Sequence, residues 1–545
     1  MAKDENHSFI IQNMEKIRNL LWNYPYFIMD FLKHIHRLKN FILIVLFAAI
    51  LFYSYSVIYS QLEQGSYTSH SLILGIVATD STYNPLSDSM LTHILNKLIF
   101  NQIFSLTNQG VLNADLAGSW TINNSNTIIN FHLNPKAKWQ DGKNISVDDI
   151  IYSFTIQKKL NIDSPLSKMA IKKTGDASFE IDLTPLNTNY LETLLWPIFP
   201  KQQSNTSLEV VGSGPYKLIA SKKNEYDLEA NANYFKGNPH IQSVKLYTFH
   251  SEKELKNAYE SGNINTIIVS NPNYTMREKI VAMNQDTLYE SQILTDYYAL
   301  FFNLLTYKDI NIRKGINYSI NKSQIMQALH EYGSILNTPL NPESWASTKD
   351  PVIQTYQFNT AKAMQNFGLG GYTLQNNKLV NKQQIPLLVK IAYEQNTTQS
   401  DILKIISHNL ESMGISVELQ EFSSAEWSQK IFNVKNFDIA FVPIQGSIDP
   451  NPISLWDSVG VNNISSYTNA SVDRYLDLAK NTTDRLQRQR AYDLFQRAVM
   501  DDDPAIFLYS QSMILETKKE IKGIHFRKNI TSEGDLLDKI NEWYF

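Results

Sequence analysis

The sequence predicts an α/β protein with mixed sheets, preceded by one transmembrane helix. Three observations carry this. Helix-like and strand-like segments alternate through most of the chain, with hairpins among them. Residues 40–62, NFILIVLFAAILFYSYSVIYSQL, contain no charged side chain. The full length of 545 residues exceeds what a single core organises, so two or three domains are expected.

The charge-free run matches the roughly 20 helical residues that span a ~30 Å hydrocarbon layer. Lys33, Arg37 and Lys39 precede it, and the next charge is Glu63. Basic residues stay on the cytoplasmic side, so residues 1–39 are expected inside and the bulk of the chain outside a cell membrane crossed once. The run is longer than a signal-peptide core and no A-x-A-like site follows it, so an uncleaved anchor is expected. The aromatic and basic stretch RNLLWNYPYFIMDFLKHIHRLK reads as a cytoplasmic tail interrupted at Pro25.

Composition excludes several functions. Net charge is −4, which gives no footprint for nucleic acid. There is no cysteine, and hence no disulfide, thiolate metal site, Cys nucleophile or lipid-modified Cys.

Beyond a polar linker, SLILGIVAT (71–79) reads as a strand and YNPL as a turn. Residues 91–106 read as helix, and 115–133 as a hairpin turning at NNSN (123–126). Asp141-Gly142 is a turn. Ser146 caps a helix, with Asp148 and Asp149 in the first turn where the helix dipole favours acids. VGSGPYKL (211–218) is a glycine-rich turn into a strand and lacks phosphate-loop spacing. Then come a turn and strand at 231–249, and helix, Gly stop and strand at 251–269. A strand with a helix pair covers 298–329, and helix, Gly stop and strand recur at 401–422. Residues 471–504 form a helical hairpin, and AIFLYS (505–510) is a late strand.

No zinc-protease, nucleophile-elbow or kinase signature occurs. The eleven histidines are scattered; His132 sits in a strand and His408 on a helix. The acids Asp501, Asp502 and Asp503 read as a solvated helix end rather than a metal site. No cofactor is expected.

Taken in order, several segments resemble one family: NPLS; GVLNADLAGSWTINNSNTIINFHLNPKAKWQDGKNISVDDIIYSF; VGSGPYKL; NANYFKGNP; FNLLTYKDINIRKGINYSINKSQI; MGISVEL; FDIAFVPIQGSIDPNP; and VDRYLDLA. Together they look like the family 5 extracytoplasmic solute-binding proteins of ABC transporters, the oligopeptide, dipeptide and nickel type. The resemblance runs from about Ser71 to Tyr509.

It implies a two-lobed clamshell with mixed sheets and an extra small domain, closing on a ligand. Lobe I would take 66–90, 206–295 and 506–545, the small domain 91–205, and lobe II 296–505. The chain would cross between lobes near 297–303 and 504–509. The implied function is non-enzymatic: capture of a peptide or similar polar solute and delivery to ABC permease subunits. A clamshell sensor signalling through the tail is the alternative. Trp139 and Asp141 would be architectural.

The resemblance also implies an amino-terminus anchor, an Asp, just before the Asp-Pro of the second lobe. Here that position falls at Gly446, beside Gln445 and Ser447, and the usual Gly-Trp before it is Val442-Pro443. Asp449 is either a substitute anchor or the cap of an Asp-Pro turn. Two further departures are Gly315, where the pattern has Ala, and Asn265, where it has an acid. The candidate ligand-binding residues are therefore Tyr83, Trp345, Gln445, Gly446, Ser447 and Asp449; Trp456 is expected in the core.

Overall fold

The computed structural model describes residues 71–545 apart from 81, 108–110, 124–126, 161–164, 184–193, 202–209, 271–286, 396–398, 483, 519 and 526–528. The expected tail, the run 40–62 and the linker lie outside the described residues. Among the described residues no helix is long and apolar enough to cross a membrane.

The apolar run Ser71–Val77 forms β1, buried along most of its length as a strand covered on both faces should be. The helix Met90–Ile99 follows, capped by Ser89. It stops at Phe100, and 104–106 is a strand, which corrects the helix expected through 106. The glycine-rich loop closes on that helix end. Gly214 N donates to Ile99 O at 2.7 Å, and a Cβ at Gly212 would collide with the same carbonyl. The glycines of VGSGP thus serve close backbone approach, satisfying orphan helix carbonyls.

The hairpin β2 (Phe104–Leu106) and β3 (Leu112–Ala114) precedes a four-stranded antiparallel sheet. That sheet is built from β4 (Ala117–Ile122), β5 (Ile128–Leu133), β6 (Ala170–Gly175) and β7 (Ser178–Asp182) in the order β4-β5-β7-β6. It has a core of its own around Phe131, Phe179 and Trp139. Ser146 caps the helix Val147–Leu160 reciprocally. Asp149 N donates to Ser146 Oγ at 3.3 Å, and Ser146 N donates to Asp149 Oδ2 at 2.9 Å. Trp139 is buried, and Asp141 holds its turn by accepting from Lys143 N, so both are architectural.

The large sheet takes β8 (Tyr216–Lys222), β9 (Glu225–Ala230), β10 (Ser243–Phe249), β11 (Thr266–Ser270), β12 (Thr287–Leu294), β13 (Tyr297–Phe302) and β14 (Gly333–Ile335). A small hairpin of β15 (Thr373–Gln375) and β16 (Lys378–Val380) stands apart. Then come β17 (Leu388–Glu394), β18 (Ser416–Phe422), β19 (Ile439–Ile444), β20 (Ala505–Lys518) and β21 (Asn529–Ile530). The path is β18-β17-β19-β13-β20-β11-β1-β10-β9-β8, with parallel and antiparallel pairs mixed.

β20 is longer than the AIFLYS stretch and belongs to both halves of this path. Its residues 505–511 pair with β13 and β14, and 512–518 with β11 and β12. The stretch 504–509 lies wholly on the β13 side of that switch. Separate cores flank it, one around Phe301, Trp456 and Phe507, the other around Leu74, Tyr226 and Trp543.

Both departures from the family pattern have a structural cause. Asn265 accepts from Ile73 N at 2.9 Å and donates to Ser71 O at 2.8 Å, clamping β1 with a donor that an acid lacks. Gly315 gives room to Phe367, whose ring a Cβ there would strike.

The acid triplet is not wholly solvated. Asp503 is 1% exposed and adopts a left-handed conformation that ends the helix Arg485–Asp502. Its carboxylate accepts from Asn317 Nδ2 at 2.7 Å. The buried Arg313 crosses the same helix end, donating to the backbone carbonyls of Asp502 and Asp503. Burial pushes the Asp503 carboxyl up to about 7, and burial lowers the neighbouring Lys322 to about 7. A raised folded-state pKa contributes stability below the unfolded value, and that stability is lost as pH rises through the folded one. Asp503→Asn keeps an acceptor for Asn317 and removes the titration. Its stability relative to wild type should therefore rise by roughly 1–3 kcal/mol between pH ~4 and ~8 in denaturant titrations. A flat difference across that range would refute the buried acid.

Candidate functional site

The crossover 294–297, between β12 and β13, is tied down by buried partners. Asn341 Nδ2 donates to Leu294 O at 2.8 Å, Thr295 N donates to Ile530 O at 3.0 Å, and Ser510 Oγ donates to Asp296 O at 2.7 Å. Beyond it, β13 pairs with β19 along its whole length. β17 pairs with only Ile439 and Ala440 of β19, so 441–444 keep one backbone edge that no described strand uses. Tyr298 lies between Phe441 and Tyr509, with ring centroids at 5.3 and 5.0 Å and nearly parallel planes. Stacking of this kind fixes rings at low entropy cost.

A cavity of about 640 Å³ follows the free edge. Its wall includes Val442, Pro443, Ile444 and the loop Gln445, Gly446 and Ser447, facing Thr295 and Tyr297. The size falls within the ~300–1,000 Å³ of ligand pockets. A second cavity, of about 970 Å³, is bounded by Lys97, Asp115, Lys236 and Asp538, and Gln445 reaches it too. Ile448, three residues on, packs into the core of the 103–198 region. The loop therefore sits where the separately cored parts of the chain meet.

Gly446 has no room for a side chain in this arrangement, since a Cβ would collide with the Thr295 carbonyl. Its N–H donates to Asp296 Oδ1 at 2.9 Å. Ser447 Oγ donates to the Asp449 carbonyl at 2.8 Å, closing the turn before Pro450. Asp449 itself is buried. Arg488 donates to both of its carboxylate oxygens, at 2.7 and 3.2 Å. Burial raises the Asp449 carboxyl and Arg488 opposes that. The guanidinium of Arg485 lies 4.1 Å over the Trp345 ring and that of Arg488 lies 5.0 Å from it. Trp345 thus covers a buried ion pair.

The family model described as "Bacterial extracellular solute-binding proteins, family 5 Middle" matches residues 111–466, well over half of the chain. The chain belongs to this family. Family 5 proteins are extracytoplasmic substrate carriers that serve ABC transporters, and they are not enzymes. The chain is 23% identical to the oligopeptide-binding protein AppA of Bacillus subtilis over 517 residues, covering 87% of this chain and 91% of that protein. The solved structure of the B. subtilis AppA in complex with a nonapeptide aligns at TM-score 0.65 and 20% identity, covering 87% of this chain and 98% of that one. The structure of a nickel ABC transporter protein from Bacillus halodurans aligns at TM-score 0.74 and 16% identity, covering 88% and 100%. The fold is thus that of the two-lobed family 5 proteins with mixed sheets.

Of the candidate residues in this family 5 chain, Gln445, Gly446 and Ser447 share one cavity wall. Asp449 and Trp345 meet in the Arg488 cluster behind it. Tyr83 packs on the core beside β1 and donates to Asn96 Oδ1 at 2.6 Å. Trp456 is buried among Phe301, Phe507 and Tyr467, at the back of the cavity. Sequence reasoning missed Asp296 and Thr295. The available signal was an acid standing inside the apolar stretch ILTDYYALFF. Asp449→Ala strands the buried Arg488 and should cost roughly 3–5 kcal/mol of stability, read as an earlier denaturant midpoint. An unmoved midpoint would show that the pair is not buried as described.

Proposed function

We propose that the chain captures peptides outside the cell and delivers them to an ABC permease, held at the membrane by the run 40–62 with residues 1–39 inside. The observation that carries the peptide reading is the unused backbone edge of 441–444 along the cavity wall. An extended peptide can add to such an edge as a further strand, so affinity comes from main-chain hydrogen bonds and tolerates varied side chains. Pro443 offers no N–H, so any added strand relies on the carbonyls and on its neighbours' amides. Water in a roomy polar cavity bridges what the peptide does not reach. The B. subtilis relative, named as an oligopeptide-binding protein and solved with a nonapeptide, supports the same reading.

In this reading lobe I comprises 66–90, 206–295 and 506–545, with 506–511 pairing to strands of lobe II, lobe II comprises 296–505, and 91–205 is the extra small domain. Gln445, Gly446 and Ser447 contact the ligand. Trp345 and Asp449 shape the wall from behind, and Tyr83 approaches from lobe I. The membrane tether raises the local concentration of carrier at its permease.

The protein should stay with the membrane pellet through alkaline carbonate washing. After detergent extraction, native mass spectrometry should show bound peptides that are released at unchanged mass. Recovery in the soluble fraction would remove the tether. Released metal chelates, or peptides shortened during incubation, would remove the peptide-carrier reading.

A further inference from the structure

We propose that Asp296 is the anchor for a primary ammonium group of the ligand, an inference that rests on the peptide reading above. Position 446 has no space for an acidic side chain, because the Thr295 backbone occupies it. The nearest carboxylate is instead supplied from the other side of that contact. Asp296 Oδ1 accepts from Gly446 N at 2.9 Å, and among the described residues the carboxylate meets no Lys, Arg or His. Its side chain is exposed, while its backbone is fixed through Ser510, itself bonded to Asn341. An acid on a rigid backbone that keeps an open face is preorganised for a cation arriving from solvent.

The surroundings favour the same role. Thr295 is 3% exposed, lines the 640 Å³ cavity, and its hydroxyl has no partner among the described residues. A buried hydroxyl without a partner costs free energy that a ligand group can recover. Asp296 directly precedes β13, two residues before Tyr298. Both ring faces of Tyr298 are covered, so Tyr298 offers no cation–π surface and leaves the carboxylate as the charged feature there. Neighbouring protein atoms desolvate Asp296 enough to raise its carboxyl from the usual value, although one side stays open to water. A charge in such a setting is screened less than on a free surface, so its attraction for an ammonium is stronger.

The test is calorimetry of the purified full-length protein and of Asp296→Asn. Asn keeps an acceptor for Gly446 N and removes only the charge. The probes are trialanine, N-acetyl-trialanine and N-acetyl-Ala-Lys-Ala. Wild type should bind trialanine about 30-fold more tightly than its acetylated form, and Asp296→Asn should bind the two alike. If N-acetyl-Ala-Lys-Ala binds like trialanine, the anchor takes side-chain ammonium as well; if it binds like N-acetyl-trialanine, it takes the amino terminus alone. Discrimination that survives in Asp296→Asn, with the variant's melting temperature unchanged, overturns the role of Asp296 and leaves peptide capture standing. No binding of any probe to wild type overturns both.

Discussion

Everything else in the described structure depends on β20 serving two sets of partners. A strand hydrogen-bonded on both sides cannot slip by one residue without turning every side chain to the wrong face. Its first half is locked to β13 and its second to β11 and β12, so the register of one core is fixed relative to the other. The switch occurs beside 294–297, where the chain passes from β12 to β13 and pairs again with the same strand. Buried polar groups hold this place. Asn341 donates to the Leu294 carbonyl at 2.8 Å and to Ser510 Oγ at 3.0 Å, and further along β20 Thr517 and Thr266 share a hydrogen bond of 2.7 Å. In a low-dielectric interior such satisfied pairs specify one arrangement.

That constraint explains where recognition chemistry can stand. The loop 445–447 and the crossover meet backbone to backbone, which requires glycine at 446, places Thr295 in the cavity wall and leaves the exposed Asp296 carboxylate against the Gly446 N–H. Behind the loop, the Asp449–Arg488 pair spends its charge inside the protein. A buried ion pair is weak evidence for net stability, but it permits few alternative packings. Trp345 and Tyr492 seal it, and the Tyr492 hydroxyl donates to the Pro450 carbonyl at 2.6 Å. The wall is thus stiff while the edge of 441–444 stays unused by any described strand.

What the sequence revealed were the local devices. Ser146 and Asp149 stand three residues apart, so their reciprocal cap is readable without knowing the fold. The alternation of strands and helices gave the class, and the ordered motifs gave the family. What stayed hidden depends on distant partners. VGSGP is legible as a turn, but its target is the carbonyl of Ile99, far back in the chain. Asp503 looks like surface charge until Asn317 and Arg313 arrive around it. β20 continues past AIFLYS through QSMILETK, whose Ser512, Glu516 and Thr517 are buried, so hydropathy alone ends the strand too early. Asp296 hides for a similar reason. Its meaning lies in Gly446, which only the fold brings to it.

If the chain works as a clamshell, the two cored halves joined through β20 and the 294–297 crossover should move against each other when a ligand enters. The absence of native cysteine makes a direct measurement simple. Spin labels at Ile219→Cys in β8 and Leu419→Cys in β18, both exposed and at opposite ends of the sheet path, report the distance between halves. Double electron–electron resonance should show a broad or long distribution without peptide and a different, narrower one with it. Identical distributions in the presence of demonstrably bound peptide would rule out closure about this junction.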